Sequence, residues 1–266
     1  MNRQKLSAEM LKKHLKATGD INIFKELEST NTTAKQAAEK GAPEGSVIIA
    51  LSQTGGKGRL GRSFYSPDGS GIYFSLILKP NFAPEDITFI TPLAAVAVCY
   101  AIESLTTKKP QIKWVNDIFI NNKKVCGILS EGAFAPDGKA VKYIILGIGI
   151  NLYAPKNGFP EEIKAIAGSV LESSEAVDIN LLLASIINNF FELYKNLKSA
   201  DTVEAYRNRL LLKNQKVNYL KNGEENVGTV LDIDEAFRLV IKTESGEREH
   251  LQSGEVTVGS KEVAKK

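Results

Sequence analysis

The chain has 266 residues, of which 43% are hydrophobic and 24% charged, with a formal net charge of +3. That length can bury a full core as one large domain with room for a small second one, and the composition is that of an ordinary globular protein. A charge so near balance gives no global electrostatic basis for a nucleic-acid or membrane partner, so neither DNA nor a membrane is expected.

Cys99 and Cys126 lie in apolar stretches without CxxC spacing, and with only His14 and His250 beside them no structural zinc site is expected. They read as buried free thiols in a reducing, cytoplasmic setting. The polar start, residues 1–13, is unlike a secretory signal, and the longest apolar run, 93–102, is too short for a bilayer.

In chain order, Ser7 is placed to cap a first helix that carries Met10, Leu11 and Leu15 on one face and ends near Gly19. A strand over 21–27 follows, then a polar break at Glu28-Ser29-Thr30-Asn31 and a short helix to Gly41, a suitable C-terminal cap. Residues 46–53 and 71–78 read as strands. Between them lies the loop Gly55-Gly56-Lys57-Gly58-Arg59-Leu60-Gly61-Arg62. Residues 84–105 predict a buried helix with Pro92 near its first turns.

Residues 112–114 and 118–120 read as a hairpin or bent strand about Asn116-Asp117, and 125–134 and 142–152 complete an apolar sheet. Amphipathic helices over 180–197 and 202–212 close this part. From Gln215 the texture changes to short strands, with hairpin signals at Asn222-Gly223 and Ser245-Gly246. Alternation at Leu239/Ile241 and Val256/Val258 fits strands with one buried face. The expected division is a domain over 1–213 and a small β domain over 214–260.

The loop satisfies G-x-G-x-x-G literally at Gly56, Gly58 and Gly61. A dinucleotide fold needs a helix directly after such glycines and an acidic residue about twenty positions on. Here Ser66-Pro67, Gly69 and Gly71 follow, and neither feature is present; Gly-Lys-Ser/Thr is also missing, so both nucleotide motifs are rejected. What remains is glycine interleaved with Lys57, Arg59 and Arg62. Fixing eight such residues costs on the order of 8–16 kcal/mol, so the loop is expected not to order itself. An anionic ligand held by backbone N–H groups and cations would offset that cost; a solvated turn is the alternative.

Lys113-Trp114-Val115-Asn116-Asp117 packs a cation, an aromatic, an amide and a carboxylate into five residues. Lys124 follows seven residues later, entering the apolar strand that contains Gly127. A lysine there needs a pair or a bound anion, or else marks an edge beside a turn at 121–123. Gly127, and the alternating Gly147 and Gly149, leave strand faces bare, which suits a flat ligand or a close helix crossing.

Taken together, five blocks in register resemble the biotin–protein ligases: Glu28-Ser29-Thr30-Asn31; Gln53 with the glycine-basic loop; Lys113 to Asp117; Lys124-Val125-Cys126-Gly127-Ile128-Leu129; and Gly147-Ile148-Gly149-Ile150-Asn151. The resemblance covers roughly residues 21–155 and also fits the terminal β domain. It implies an α/β (α+β) fold: a mixed sheet backed by helices, similar to class II tRNA synthetases, with a small SH3-like β-barrel at the end.

The implied activity joins biotin to ATP as biotinyl-5'-AMP, then transfers biotin to a lysine of a carboxylase biotin carrier protein or domain. Mg2+ would accompany ATP, with no metal ligand assigned with certainty. Monomer and homodimer both stay open.

By position, Ser29, Thr30, Asn31 and Gln53 resemble the groups that hold the ring end of biotin. Lys57, Gly58 and Arg59 resemble the loop over biotin and phosphate, and Gly127, Gly147 and Gly149 the biotin slot. Lys124 resembles the lysine at the reacting carboxylate, which also belongs to the biotin site. Arg62, Phe64, Lys113, Asn116 and Asn151 would lie at the nucleotide. The catalytic set is then Lys124, Arg59 and Asp117, with Asp117 orienting Lys124, binding magnesium or accepting a proton.

Val115 departs from a usual proline, Lys57 and Leu60 from frequent arginines, and Phe64 from a common tryptophan. With about twenty residues before the first strand, the resemblance is to the ligase-only class without a DNA-binding domain. The rivals are a lipoate–protein ligase of the same fold, a non-catalytic biotin-responsive binding module, and an RNA-binding β domain; the last lacks basic–aromatic interleaving.

Overall fold

The computed structural model describes residues 5–16, 19–221, 223–252, 254 and 256–258. The first seven strands are β1 (Ile21–Leu27), β2 (Val47–Gln53), β3 (Gly71–Leu78), β4 (Gln111–Lys113), β5 (Asp117–Ile120), β6 (Lys123–Phe134) and β7 (Val141–Asn151). They form one mixed sheet in the order β1-β2-β3-β7-β6-β5-β4. β1 and β2 run parallel and every other neighbouring pair is antiparallel.

Both faces of this sheet are covered, which is why its central strands read as near-continuous apolar runs. Val47, Ile49, Phe74, Leu76, Leu146, Ile148 and Ile150 join one large cluster with α3 (Ile90–Leu105) and α5 (Ile179–Tyr194). The intervening Ile48, Ile77, Tyr143 and Ile145 point the other way, onto Ala34 and Ala38 of α2 (Thr30–Glu39). Each isoleucine or leucine so buried contributes about 1.5–3 kcal/mol. α2 covers only part of its face, and the remainder holds the site described below.

The helices differ from the sequence expectations at their ends. α1 (Ala8–His14) starts at Ser7, whose hydroxyl accepts from Met10 N. α2 begins at Thr30, so half of the expected polar break is helix. The segment Pro84–Leu105 opens as a 3-10 helix, Pro84–Phe89, before α3; at its full 22 residues it is long and apolar enough to cross a membrane, unlike the run 93–102 alone. Its position explains the composition, because every residue from Leu93 to Cys99 is fully buried beneath the sheet and α5.

The second of the two expected late helices, α6 (Ala200–Arg207), stops short of 212. The chain instead turns to pair with the outer edge of β4, through Ile112 N to Arg209 O (2.7 Å) and Leu211 N to Ile112 O (2.9 Å). An uncovered sheet edge is a liability, and this pairing removes it. A four-residue helix, α4 (Glu161–Lys164), was not expected.

The second sheet contains β8 (Lys216–Lys221), β9 (Glu224–Ile233), β10 (Leu239–Thr243), β11 (Arg248–Leu251) and β12 (Val256–Val258), in the order β11-β10-β9-β8-β12. Gly223 and Gly246 take positive φ (84° and 90°) at the two hairpin turns. Leu239, Ile241 and Val256 are buried as the alternation implies; Asn222 and the Val258 side chain lie outside the described residues. The apolar side chains of this sheet continue the large cluster without a break.

The join between the two sheets centres on the turn from β9 to β10. Trp114 Nε1 donates to the carbonyl of Phe237 (2.8 Å), and Phe237 packs edge-on against Phe89 and Tyr206. Arg207 donates to Asp232 Oδ1 and to the Ile233 carbonyl. Asp234 folds the turn itself, accepting from the backbone of Ala236 and Arg238, from Arg238 Nε and from His250 Nδ1.

Burial pushes the Asp234 carboxyl up, but the His250, Arg238 and backbone hydrogen bonds outweigh it and hold the group below its ordinary 3.8. A depressed folded-state value means stabilisation that is complete above 3.8 and lost as pH falls further. Asp234→Asn is therefore expected to lower the thermal midpoint at pH 7 and to reduce its fall between about pH 4 and pH 2. A scan of melting temperature against pH checks this, and an unchanged acid limb would contradict it.

Candidate active site

Register builds the floor of the site. Reading across the sheet, Lys113 pairs with Asp117, Asp117 with Gly127, Gly127 with Gly149, Gly149 with Tyr73 and Tyr73 with Ala50. In the next row Leu129 opposes Gly147 and Gly147 opposes Ser75. Paired residues share a face, so three glycines meet on the side that α2 leaves open.

A cavity of about 390 Å³ stands over this floor. Every candidate named from the sequence lines it: Ser29, Thr30, Asn31, Gln53, Lys57, Gly58, Arg59, Arg62, Phe64, Lys113, Asn116, Asp117, Lys124, Gly127, Gly147, Gly149 and Asn151. The bare glycine faces are used differently from the expectation. Phe64 lies over Gly127 and Gly149, where a Cβ would stand 3.1 Å and 2.5 Å from its ring, and the Asn31 amide fills the space over Gly147. The glycines seat the protein's own flat groups, and those groups wall the cavity.

The glycine-basic loop also departs from its composition. Gln53 N donates to Ser66 O, Phe64 N to Gly56 O, and Gly58 N to Arg62 O (2.7 Å), and Lys57 bridges Ser63. The loop is thus a short self-paired excursion with its tip at Leu60 (φ 55°) and Gly61 (φ 74°). These backbone bonds offset part of the entropy cost expected for eight free residues.

At one end the cavity is cationic. Lys57, Arg59, Arg62, Lys113 and Lys124 line it, and Asp117 is the one acid among the described lining residues. A β-bulge places Lys124: Ile118 pairs with Cys126 but Phe119 pairs with Lys124, leaving Val125 as the extra residue. Val125 and Cys126 both enter the core, and Lys124 turns onto the face of Gly127.

Lys124 Nζ lies 2.8 Å from Asp117 Oδ1. The same oxygen accepts from Asn116 Nδ2 (2.9 Å), which also donates to the Ile128 carbonyl, and Asn116 Oδ1 accepts from Arg59 Nη1 (3.0 Å). One carboxylate and one amide thus aim two cations into a shared space. Beside them Asn151 Nδ2 donates to Gly168 O (3.1 Å), and Lys113 lies 6.0 Å from the Phe119 ring centre.

The other end is neutral and polar. Gln53 Oε1 accepts from Thr30 N (2.8 Å) and Thr30 Oγ1 (3.1 Å), while Gln53 Nε2 donates to Ser66 Oγ (2.9 Å). Ser29, Thr30 and Asn31 are buried at the start of α2, so their polar atoms are used locally or by a ligand. Burial pushes the Cys126 thiol up and raises Tyr73 to about 12, so neither is a ready nucleophile at neutral pH.

Sequence reasoning missed Ser66, Ser75 and Glu131, which hold the polar end, and Ile166 and Ala167, which pair with Lys124 from beyond α4. It also missed Gly254 and, in β12, Val256 and Thr257, which reach the cavity wall. Polar residues on apolar strands were the available signal for Ser75 and Glu131; the long-range contacts had none.

Residues 23–151 match the Biotin/lipoate A/B protein ligase family and residues 214–259 the Biotin protein ligase C terminal domain. The chain is 38% identical over 193 residues to the bifunctional ligase/repressor BirA of Bacillus spizizenii, covering 72% of this chain and 57% of that protein. It is 29% identical over 230 residues to the biotin--[acetyl-CoA-carboxylase] ligase of Mycobacterium tuberculosis, covering 83% and 82%. The alignments thus span little more than half of the BirA proteins of Bacillus, 57% and 52%.

Among solved structures, the biotin protein ligase of Aquifex aeolicus in complex with biotin and ATP superposes with a TM-score of 0.73 at 26% identity, over 90% of this chain and 98% of that one. Two matched domains in the right order, laid on a shared fold around one cavity, show that this chain belongs to the biotin/lipoate A/B protein ligase family and carries the C-terminal domain of the biotin protein ligases.

Proposed function

We propose that this chain adenylates biotin with ATP, forming biotinyl-5'-AMP and pyrophosphate, and transfers the biotin to a lysine of a carboxylase carrier domain. The observation that carries the reading is the polarity of the cavity: a neutral hydrogen-bonding end at Thr30, Asn31 and Gln53 and a cationic end at Arg59 and Lys124, joined by a glycine floor. The similar Aquifex ligase, solved in complex with biotin and ATP, supports the same pair of ligands. Residues 1–213 are the catalytic unit in this reading and 214–260 the small domain.

In the first step a carboxylate oxygen attacks the α-phosphorus and pyrophosphate leaves. Two like unit charges at about 4 Å repel by roughly 4 kcal/mol at an effective dielectric of 20. Lys124 and Arg59, pre-aimed by Asp117 and Asn116, offset that repulsion without reorganising. In the second step the acceptor amine, having lost a proton, attacks the acyl carbon; the amide forms and AMP leaves. The nucleophile thus comes from the partner, in keeping with the protonated Cys126 and Tyr73 beside the floor.

Asp117 serves chiefly to orient Lys124, its nearest partner. Among the described residues no group of three or more His, Cys, Asp or Glu could hold a metal ion. Asp117 is the lining carboxylate that would hold an Mg2+ ion brought in with ATP, and such an ion would screen the charge of the triphosphate.

Mass analysis of a biotin carrier domain incubated with this protein, biotin and Mg-ATP tests the reading, with lipoate in a parallel sample. One added biotin is expected; no addition, or preferential lipoylation, would refute it. Lys124→Ala is expected to slow biotin-dependent pyrophosphate release about 100- to 1000-fold with the fold retained. An unchanged rate would remove Lys124 from the reacting centre. Arg59→Gly is expected to slow adenylate formation without abolishing it and to let the intermediate escape, seen as free biotinyl-AMP accumulating in solution; retention equal to the parent protein would contradict the role of the loop.

A further inference from the structure

Ser75 stands in the middle of β3, fully buried, and takes no part in the expectations drawn from sequence. A hydroxyl there must be paired, since burying it alone costs about 1–3 kcal/mol. Its Oγ lies 2.8 Å from Thr30 Oγ1 and donates to Asn31 Oδ1 at 2.6 Å. On the opposite side Asn31 Nδ2 donates to Glu131 Oε2, also at 2.6 Å.

The two ends of an amide side chain have almost the same shape, so only its partners decide which end points where. Here the acceptor-only carboxylate of Glu131 faces the nitrogen and sets the orientation, and the Ser75 hydroxyl, free to donate, pairs with the oxygen that this orientation turns towards it. Gly147 is what admits the amide, because a Cβ at that position would stand 2.1 Å from Asn31 Oδ1. After these bonds Asn31 retains one N–H and one carbonyl lone pair, and it lines the cavity.

We infer that Ser75 and Glu131 are positioning residues that lock the Asn31 amide, so that the neutral end of the cavity selects a cyclic urea over a dithiolane. The inference rests on the proposed function and adds to it the groups that set its specificity. A urea offers an N–H and a carbonyl side by side, the complement of what Asn31 has left. A dithiolane offers neither and would leave the amide unpaired, and sites built on hydrogen bonds reject analogues lacking them far more strongly than apolar pockets do.

Calorimetric titration of biotin and of lipoate into the parent protein, Ser75→Ala, Glu131→Ala, Asn31→Ala and Ser75→Ala/Asn31→Ala tests this. Each positioning variant is expected to weaken biotin about tenfold, the worth of one net hydrogen bond, with lipoate affinity unchanged. The double variant should bind biotin no more weakly than Asn31→Ala alone, because Ser75 acts through that amide. Glu131 is exposed, so its variant tests the idea even if Ser75→Ala fails to fold.

An unchanged biotin-to-lipoate ratio in the folded variants, or additive losses in the double variant, would overturn the inference and leave the ligase reading intact. A parent protein that binds biotin no better than lipoate would overturn both.

Discussion

The structure depends on one constraint of pairing: β5, β6, β7 and β3 are held in a register that sets Asp117, Gly127, Gly149 and Tyr73 in a single transverse row. In a strand, a slip of one residue exchanges the two faces. Such a slip would bring isoleucines into the cavity and send glycines into the core. Register here is held by what lies beneath, since Ile128, Ile148, Ile150, Phe74 and Leu76 can be buried against α3 and α5 only in the observed arrangement. The apolar core therefore specifies where the polar site is.

On that floor the charged groups are arranged in tiers. Asp117 is held by Asn116 and holds Lys124; Asn116 in turn anchors Arg59 from the loop. Both cations are paired with protein acceptors, which limits the cost of keeping them half-buried. The turn that carries Asn116 is tied by Trp114 to the carbonyl of Phe237, so the second sheet supports the cationic end from behind. The neutral end has its own support in Ser75, Ser66 and Glu131.

Much of this was legible in the sequence, and for definite reasons. The strands over 21–27 and 71–78 match the expectation because apolar runs bounded by glycine and polar residues leave little choice. The site blocks were visible because glycine, lysine and aspartate are costly in apolar strands and so mark special places. What escaped was relational. Composition cannot show that Gly58 pairs with Arg62, that a bulge at Val125 turns Lys124, or that Ile166 returns from beyond α4 to hold its backbone. Helix α6 ended early because a sheet edge elsewhere in the chain competed for its residues, a demand that no local window contains.

The bulge at Val125 bears on how this surface can change over time. Surface turns usually gain and lose residues freely, because their backbone faces water. The exposed turn at Asn121 and Asn122 has no such latitude: counting from Asp117 through this turn decides which side chain reaches the cavity and which enters the core. One residue more would present Lys123, and one fewer Val125, where Lys124 now stands. The length of an outwardly ordinary hairpin is thereby as constrained as the chemistry it delivers.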